Sequence, residues 1–487
     1  MIQKSLIQLI EPHFHNKLTE KEYEIKTLKA KDLLVHTRFD IAFKILYLEN
    51  IDKKNKFAQE FYEEHIRAFS LGKFTELGNK KKNNIDEYIK SFLKIFKDIK
   101  KNGFNNDKTL IPLSSKGYIA NGAHRVASAI YTNKNVDCVE INANDPNYNY
   151  KFFYNRKVST KILDTVATKF VEYANNIYIA LIWPTAQGHD KEIEQIIPNI
   201  VYRKDILLNP NGAHNLISQI YYGEKWIGNI KNNFRGSQGK LVECFRNFNP
   251  VRIVAFQANS LNKVMSIKDK IRKIFKVGKS SIHITDSHND AIRVARVVFN
   301  NNSIHFLNNA KLNRYISTHL KIDEFKKFII KNKLNRNDVL IDSSLILSCY
   351  GMREAKDTDF IYNSETRIKF KFNNINVHNE VLKYYQATKH ELIYNPNNYF
   401  YFNELKFISF DHLYKMKKNR NEIKDKNDCK MMEALRENNQ IKMIMNRLKQ
   451  NFYYSIIKIK YKVVLLLKIL GLHKIIKKLI LYESTKK

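Results

Sequence analysis

Two apolar runs that bracket a pair of serines and a pair of aspartates constrain this chain more than any other feature. Residues 338–362 read DVLIDSSLILSCYGMREAKDTDFIY. The closing DTDFIY has the character of a strand, and on a strand side chains at i and i+2 share a face. Asp357 and Asp359 are therefore expected side by side. Adjacent carboxylates are how a protein ligates hard divalent cations through oxygen. Ser343 and Ser344 precede an apolar segment of helical character that ends at Tyr350-Gly351. A turn of small residues that opens a helix offers backbone N–H groups to a phosphate. A phosphate cradle beside a metal clamp has the parts of a nucleotidyl- or phosphoryl-transfer site.

The same residues resemble the nucleotidyltransferase superfamily, whose pattern is Gly-Ser, roughly a dozen residues, then Asp-x-Asp/Glu. Ser344 matches the family's Ser, and Asp357 and Asp359 match its first two carboxylates; Ser343 stands where the family usually has Gly. Further on, Arg420, Lys424, Asp425 and Asp428 in RNEIKDKNDCKMMEAL resemble the R…KDxxD helix of small members. Glu391 and Asp411 are the candidates for a third carboxylate. The resemblance implies Mg2+ or Mn2+ on Asp357 and Asp359, with an NTP as substrate bound by Ser343, Ser344 and Arg420. It implies Lys424 as a catalytic partner of the two aspartates, offsetting charge in the transition state. An Asp-x-Asp by itself is more often a solvated strand end; the serines upstream and the KD helix downstream give this one weight.

A second piece lies at residues 109–141, TLIPLSSKGYIANGAHRVASAIYTNKNVDCVEI, which reads as strand, turn, helix from near His124, and strand. Asn121-Gly122 supplies the turn. His124 and Arg125 fall in the first helical turn, where anions are favoured and an Arg fork suits phosphate. These residues, with Ala129, resemble the ParB/sulfiredoxin-like domain, and Arg38 and Asp40 resemble its upstream Arg box. The resemblance implies nucleotide binding through Gly122, His124 and Arg125. The alternative is that GAHR only caps its helix. No helix-turn-helix partner is evident, so chromosome partitioning fits poorly.

Between these pieces, NNIYIALIWP reads as a strand, and SSIHITDSHNDAIRVARVVFNNNSIHFLN as strand, helix, strand, with His305 on the last strand. In an open α/β sheet, His283 and Asp286 would sit at a strand's C-terminal end, where ligands bind. With Lys279 they form a second candidate site, although a core-edge histidine and a helix cap are the commoner explanation. GNIKNNFRGSQGK, with Arg235 and Lys240, looks like an anion-binding loop but matches no Walker pattern.

At 487 residues, 44% hydrophobic, with only 14 Gly and 8 Pro, the chain has material for about two to four packed domains. The expectation is a multidomain α/β (α+β) protein: residues 1–155 ParB-like, 156–320 α/β, 321–450 nucleotidyltransferase-like and 451–487 a basic amphipathic tail. Four dispersed cysteines argue for a reducing compartment and against a zinc or disulfide framework. The formal charge of +36 permits anionic partners. Lys, Asn, Ile and Tyr are abundant throughout, as in AT-rich genomes, so the charge is weak grounds for nucleic acid as a partner. No signal peptide or membrane span is expected. The tail interleaves Lys458, Lys460, Lys462, Lys468, Lys474, Lys477 and Lys478 with apolar residues. That pattern suits a helix lying on an anionic membrane surface, or a terminal helix packed on its own domain.

The resulting expectation is a cytoplasmic enzyme, peripheral on the inner face of the membrane, that transfers a nucleotidyl or phosphoryl group from an NTP to a small acceptor. A sugar or sugar phosphate of bacterial surface polysaccharide is the acceptor suggested by analogy. The alternatives are a glycan-assembly transferase with its activity in the central region, and a ParB-like protein that binds nucleotide or nucleic acid.

Overall fold

Three sheets organise the described residues of the computed structural model, which are 1–53, 55–75, 82–364 and 366–472. The first holds β1 (Ile25–Lys29), β2 (Ile111–Leu113) and β3 (Asn135–Glu140) in the order β1-β3-β2. β2 runs parallel to β3, and the helix Ala123–Tyr131 makes the crossover between them. The strand, turn, helix and strand expected across 109–141 are therefore present.

The second sheet holds β4 (Ile177–Ile182), β5 (Ile200–Ile206), β6 (Val251–Gln257) and β7 (Ile282–Ile284), ordered β5-β6-β4-β7. Every neighbouring pair is antiparallel. Helices Asp190–Ile196 and Leu261–Phe275 join β4 to β5 and β6 to β7, giving a split β-α-β arrangement. β4 is apolar on both faces because both are covered. Ile177, Ile179 and Leu181 enter one core, and Ala180 and Ile182 enter another beneath Leu261–Phe275.

Two expectations for this region are corrected. The sheet is antiparallel, so the rule that ligands bind beyond the carboxyl ends of parallel strands gives no support to Lys279, His283 and Asp286. His305 lies on a helix, Asn301–Asn309, and not on a strand. The Asn300 side chain accepts from Ser303 N at 2.8 Å and starts that helix, and Ser303, Phe306 and Leu307 supply its buried face.

The largest core draws on the first two sheets together. Phe39 packs against Phe153, Phe170 and Tyr202 with ring centroids 6.1–6.3 Å apart. Residues on both sides of the boundary expected near 155 thus share one interior, which is no gap in packing.

The third sheet is mixed: β8 (Val339–Asp342), β9 (Thr358–Tyr362), β10 (Ile375–Val377), β11 (Tyr399–Phe402) and β12 (Leu405–Ile408), ordered β10-β9-β8-β12-β11. Its own core runs from Phe306 to Met432. Phe325, Phe328 and Phe360 meet there, each burial contributing about 1.5–3 kcal/mol. The helix Gln440–Ile469 runs unbroken through the boundary expected near 450. Arg447 donates to the carbonyls of Met352 (2.6 Å) and Gly351 (3.1 Å), which fastens the start of this helix to the third sheet's domain. Among the described residues no helix is long and apolar enough to cross a membrane.

Candidate active site

β8 and β9 pair antiparallel with Asp342 opposite Asp359, so carboxylates from two strands meet at one end of the sheet. Asp357 lies just before β9 and Asp359 within it, both partly exposed, with the buried Thr358 between them. Only Asp359 of the two is on the strand, although burial alternates from Asp357 to Phe360. Behind them Asp342 is fully buried. It accepts from Tyr385 Oη at 2.5 Å, and its other oxygen lies 3.1 Å from His378 Nδ1.

Ser343 follows β8 at φ 60°, ψ −129°. Glycine reaches this region freely, whereas an L-residue is strained there, so Ser343 holds the turn at a cost. Its hydroxyl lies 3.2 Å from His378 Nδ1. Ser344 opens the next helix and donates to Asp357 Oδ1 at 3.2 Å. That helix, Ser344–Cys349, has only six residues. A phosphate here would rest on the hydroxyls and turn N–H groups more than on a helix dipole.

The electrostatics are unbalanced. Burial, followed by the charges of Asp357 and Asp342, pushes Asp359 up to about 6, against a smaller pull from His378 and Asn376. Burial pulls the His378 imidazole down, but its contact with Asp342 prevails and its pKa is raised. Among the described residues the Asp359 carboxylate accepts one hydrogen bond, a long 3.5 Å contact from Asn376 Nδ2. Among the described residues neither Asp357 nor Asp359 forms an ion pair. No group of three or more His, Cys, Asp or Glu side chains among those residues is arranged to hold a metal ion. The pair nevertheless fits Mg2+, which is bound through one or two carboxylates with waters and substrate phosphates completing the shell.

The KD helix has a structural part. On Ile423–Arg436, Asp428 is fully buried and takes Arg353 in a bidentate pair at 2.6 and 2.8 Å. Lys417 lies 2.8 Å from Asp428 and 3.2 Å from Asp425. Arg420 forks onto Asp425 at 2.8 Å through both nitrogens. The YGMREA and KDKND segments are thus bolted together through Arg353 and Asp428. Lys424 is partly exposed and pairs with Glu422 at 3.0 Å. Glu391 accepts from Lys56 N at 2.8 Å, and Asp411 pairs with Arg436 at 2.6 Å, so both third-carboxylate candidates are engaged elsewhere. Asp342, His378, Tyr385 and Lys417 were not singled out from the sequence. Asp342 was legible as the last residue of an apolar strand; the others depend on long-range packing.

The N-terminal turn is filled from within. Gly122 sits at φ 95°, and a Cβ there would lie 2.8 Å from both Arg125 and Ile111. Arg125 donates to Leu110 O at 3.1 Å, to Glu11 at 2.5 Å and to the Thr109 hydroxyl. His124 is paired with Tyr62 Oη at 2.8 Å, and burial depresses its pKa well below that of a free imidazole. Arg38, Asp40 and Lys44 form a buried ion cluster.

Of the central candidates, His283 and Asp286 both lie near Lys268, and each has a partner of its own. His283 Nδ1 lies 3.1 Å from Tyr221 Oη, and burial lowers its pKa to about 4. Asp286 pairs with Lys268 at 3.2 Å, Ser287 caps the next helix, and Lys279 is exposed. Arg235 and Lys240 of the expected anion-binding loop lie on a helix, Arg235–Cys244, and Gly236 there serves packing, because a Cβ would come within 2.1 Å of Trp226 O.

No family model, curated protein or solved structure matches the chain.

Proposed function

We propose that this chain transfers a nucleotidyl group from an NTP to a small acceptor, using Asp357 and Asp359 to hold the metal. The observation that carries the reading is the gathering of Asp357, Asp359 and the buried Asp342 at one sheet end, where neither Asp357 nor Asp359 has an ion-pair partner among the described residues. A dication held by Asp357 and Asp359 would offset the crowding of carboxylates and would supply Lewis-acid polarisation of the triphosphate and of an acceptor hydroxyl. Ser344 keeps Asp357 oriented, while the turn at Ser343–Ser344 presents N–H groups to the triphosphate. The acceptor oxygen bonds to the α-phosphorus, the bond to the bridging oxygen breaks, and pyrophosphate leaves. The acceptor's proton passes to a carboxylate or to water at the site. Lys424 can exchange its exposed partner Glu422 for phosphate oxygens, whereas Arg420 braces the site through Asp425.

The test is pyrophosphate release from each of the four NTPs with Mg2+ and a panel of sugar phosphates, in wild type and in Asp357→Asn/Asp359→Asn. Release that the double variant reduces by about a thousandfold supports the reading. Equal release in both proteins refutes it and directs attention to the central region.

We also propose that the C-terminal helix rests on an anionic membrane surface. Its start is buried through Met443, Asn446, Arg447 and Gln450, but Phe452, Ile459, Tyr461, Leu465 and Ile469 are exposed. No acidic residue occurs between Glu437 and Leu472, and Lys458, Lys460, Lys462 and Lys468 flank the apolar positions. Lys474, Lys477 and Lys478 lie outside the described residues. Co-sedimentation with phosphatidylglycerol vesicles but not phosphatidylcholine vesicles is expected; equal behaviour with both contradicts it.

A further inference from the structure

A cavity of about 610 Å³ opens between the second and third sheets' domains, within the range of small-molecule pockets. One wall comes from the helices Pro210–Ile220 and His288–Val298. The other comes from the helix Ile316–Lys331 and the turn between β11 and β12. β12 runs parallel to β8, with Phe407 beside Ile341, so the turn that precedes β12 lies by the start of β8. Asp342 and Asp359 are at the other end of that strand. The cavity is therefore a different place from the carboxylate site.

Its cations differ in how fully they are matched. Arg296 is held by Glu172 at 2.7 Å, Arg336 by Glu404 at 3.0 Å, and Arg293 by Asp290 and the Ile220 carbonyl, both at 3.0 Å. Lys326 is half-buried and, among the described residues, donates to the neutral amide of Asn403 at 2.7 Å, with Glu404 and Asp323 near it but not paired to it. No carboxylate among the described residues pairs with it. A half-buried ammonium with two N–H bonds to spare is poised for an anion. The same cavity is lined by Tyr222 and Phe234, whose ring centroids are 6.2 Å apart, and by the apolar Leu312.

We propose that this cavity binds a ring-bearing organic anion of about nucleotide size, its acidic group against Lys326 and its ring against Phe234 and Tyr222. The site needs both domains, so such a ligand would brace them together. It stands independently of the transferase reading.

The test uses 8-anilinonaphthalene-1-sulfonate as probe, titrated by fluorescence against the full chain, with the ligand-induced rise in Tm as second readout. Lys326→Glu, which reverses the charge, and Leu312→Trp, which fills the space, are each expected to weaken binding at least about tenfold. Lys326→Arg keeps it, and Asp357→Asn/Asp359→Asn leaves it unchanged. If Leu312→Trp does not fold, Lys326→Glu on the cavity edge still decides. The proposal is overturned if wild type shows no saturable binding, or if Lys326→Glu binds as wild type does. It is equally overturned if binding is lost on Leu465→Asp in the C-terminal helix and unaffected by the cavity variants.

Discussion

At Arg125 the charge of the N-terminal turn is met from inside the protein by Glu11, whereas Asp357 and Asp359 have no ion-pair partner among the described residues. Both turns join a short strand to a helix and carry residue types suited to nucleotide chemistry. In the N-terminal turn Glu11, Thr109 and the Leu110 carbonyl occupy the guanidinium, and Tyr62 occupies His124. In the C-terminal turn three carboxylates share one sheet end, and one of them is forced up to about 6. A satisfied network stabilises a fold, whereas carboxylates crowded at a partly exposed sheet end, with His378 drawing on Asp342 and Asp359, favour a counter-ion. That contrast is the ground for proposing function at the second place and not at the first.

The comparison can be broken at its structural side first. Asp428→Asn removes the buried partner of Arg353 and Lys417, and is expected to cost about 3–5 kcal/mol, read by denaturant unfolding. The same group carries a pH dependence. Burial alone would raise its pKa, but Lys417 and Arg353 prevail and hold it at about 2. A folded carboxylate pKa below the unfolded one stabilises above about pH 4, and that stabilisation is lost as pH falls through about 2. Unfolding curves from pH 5 to pH 2 should therefore converge for wild type and Asp428→Asn.

Arg125→Ala should act as a stability variant alone. It strands Glu11, whose Oε2 is buried with no hydrogen-bond partner among the described residues, and about 2 kcal/mol is expected because Glu11 is partly exposed. Transfer activity measured below the lowered Tm should stay within about twofold; loss of nucleotide affinity in a folded variant would erase the contrast between the two turns.

The smallest effect sharpens the functional side. Ser343→Gly relieves the positive φ and should add about 0.5–1 kcal/mol of stability while turnover is retained. A destabilised Ser343→Gly would mean that the hydroxyl contact to His378 outweighs backbone strain.

What was legible in the sequence was local. Period-two alternation put Asp357 and Asp359 on one face, and the Gly122 turn with its following helix is where the pattern places it. What was not legible depends on which strand lies beside which. Asp342 joins the site only because β8 and β9 pair with it opposite Asp359, and His378 arrives on the far side from β10. Arg125's partner is 114 residues away. His305 was misread because a short Ile-His-Phe run fits a strand or a buried helix equally; the Asn300 cap and the spacing of Ser303, Phe306 and Leu307 were the available correction.

The most direct measurement is Mg2+-dependent binding of a non-hydrolysable NTP analogue, by calorimetry, to wild type, Asp357→Asn/Asp359→Asn and Arg125→Ala, each confirmed folded. The account predicts that metal-dependent binding disappears in the double aspartate variant and persists in Arg125→Ala. Binding that survives the aspartate changes and vanishes with Arg125 would contradict it and move the nucleotide site to the N-terminal turn.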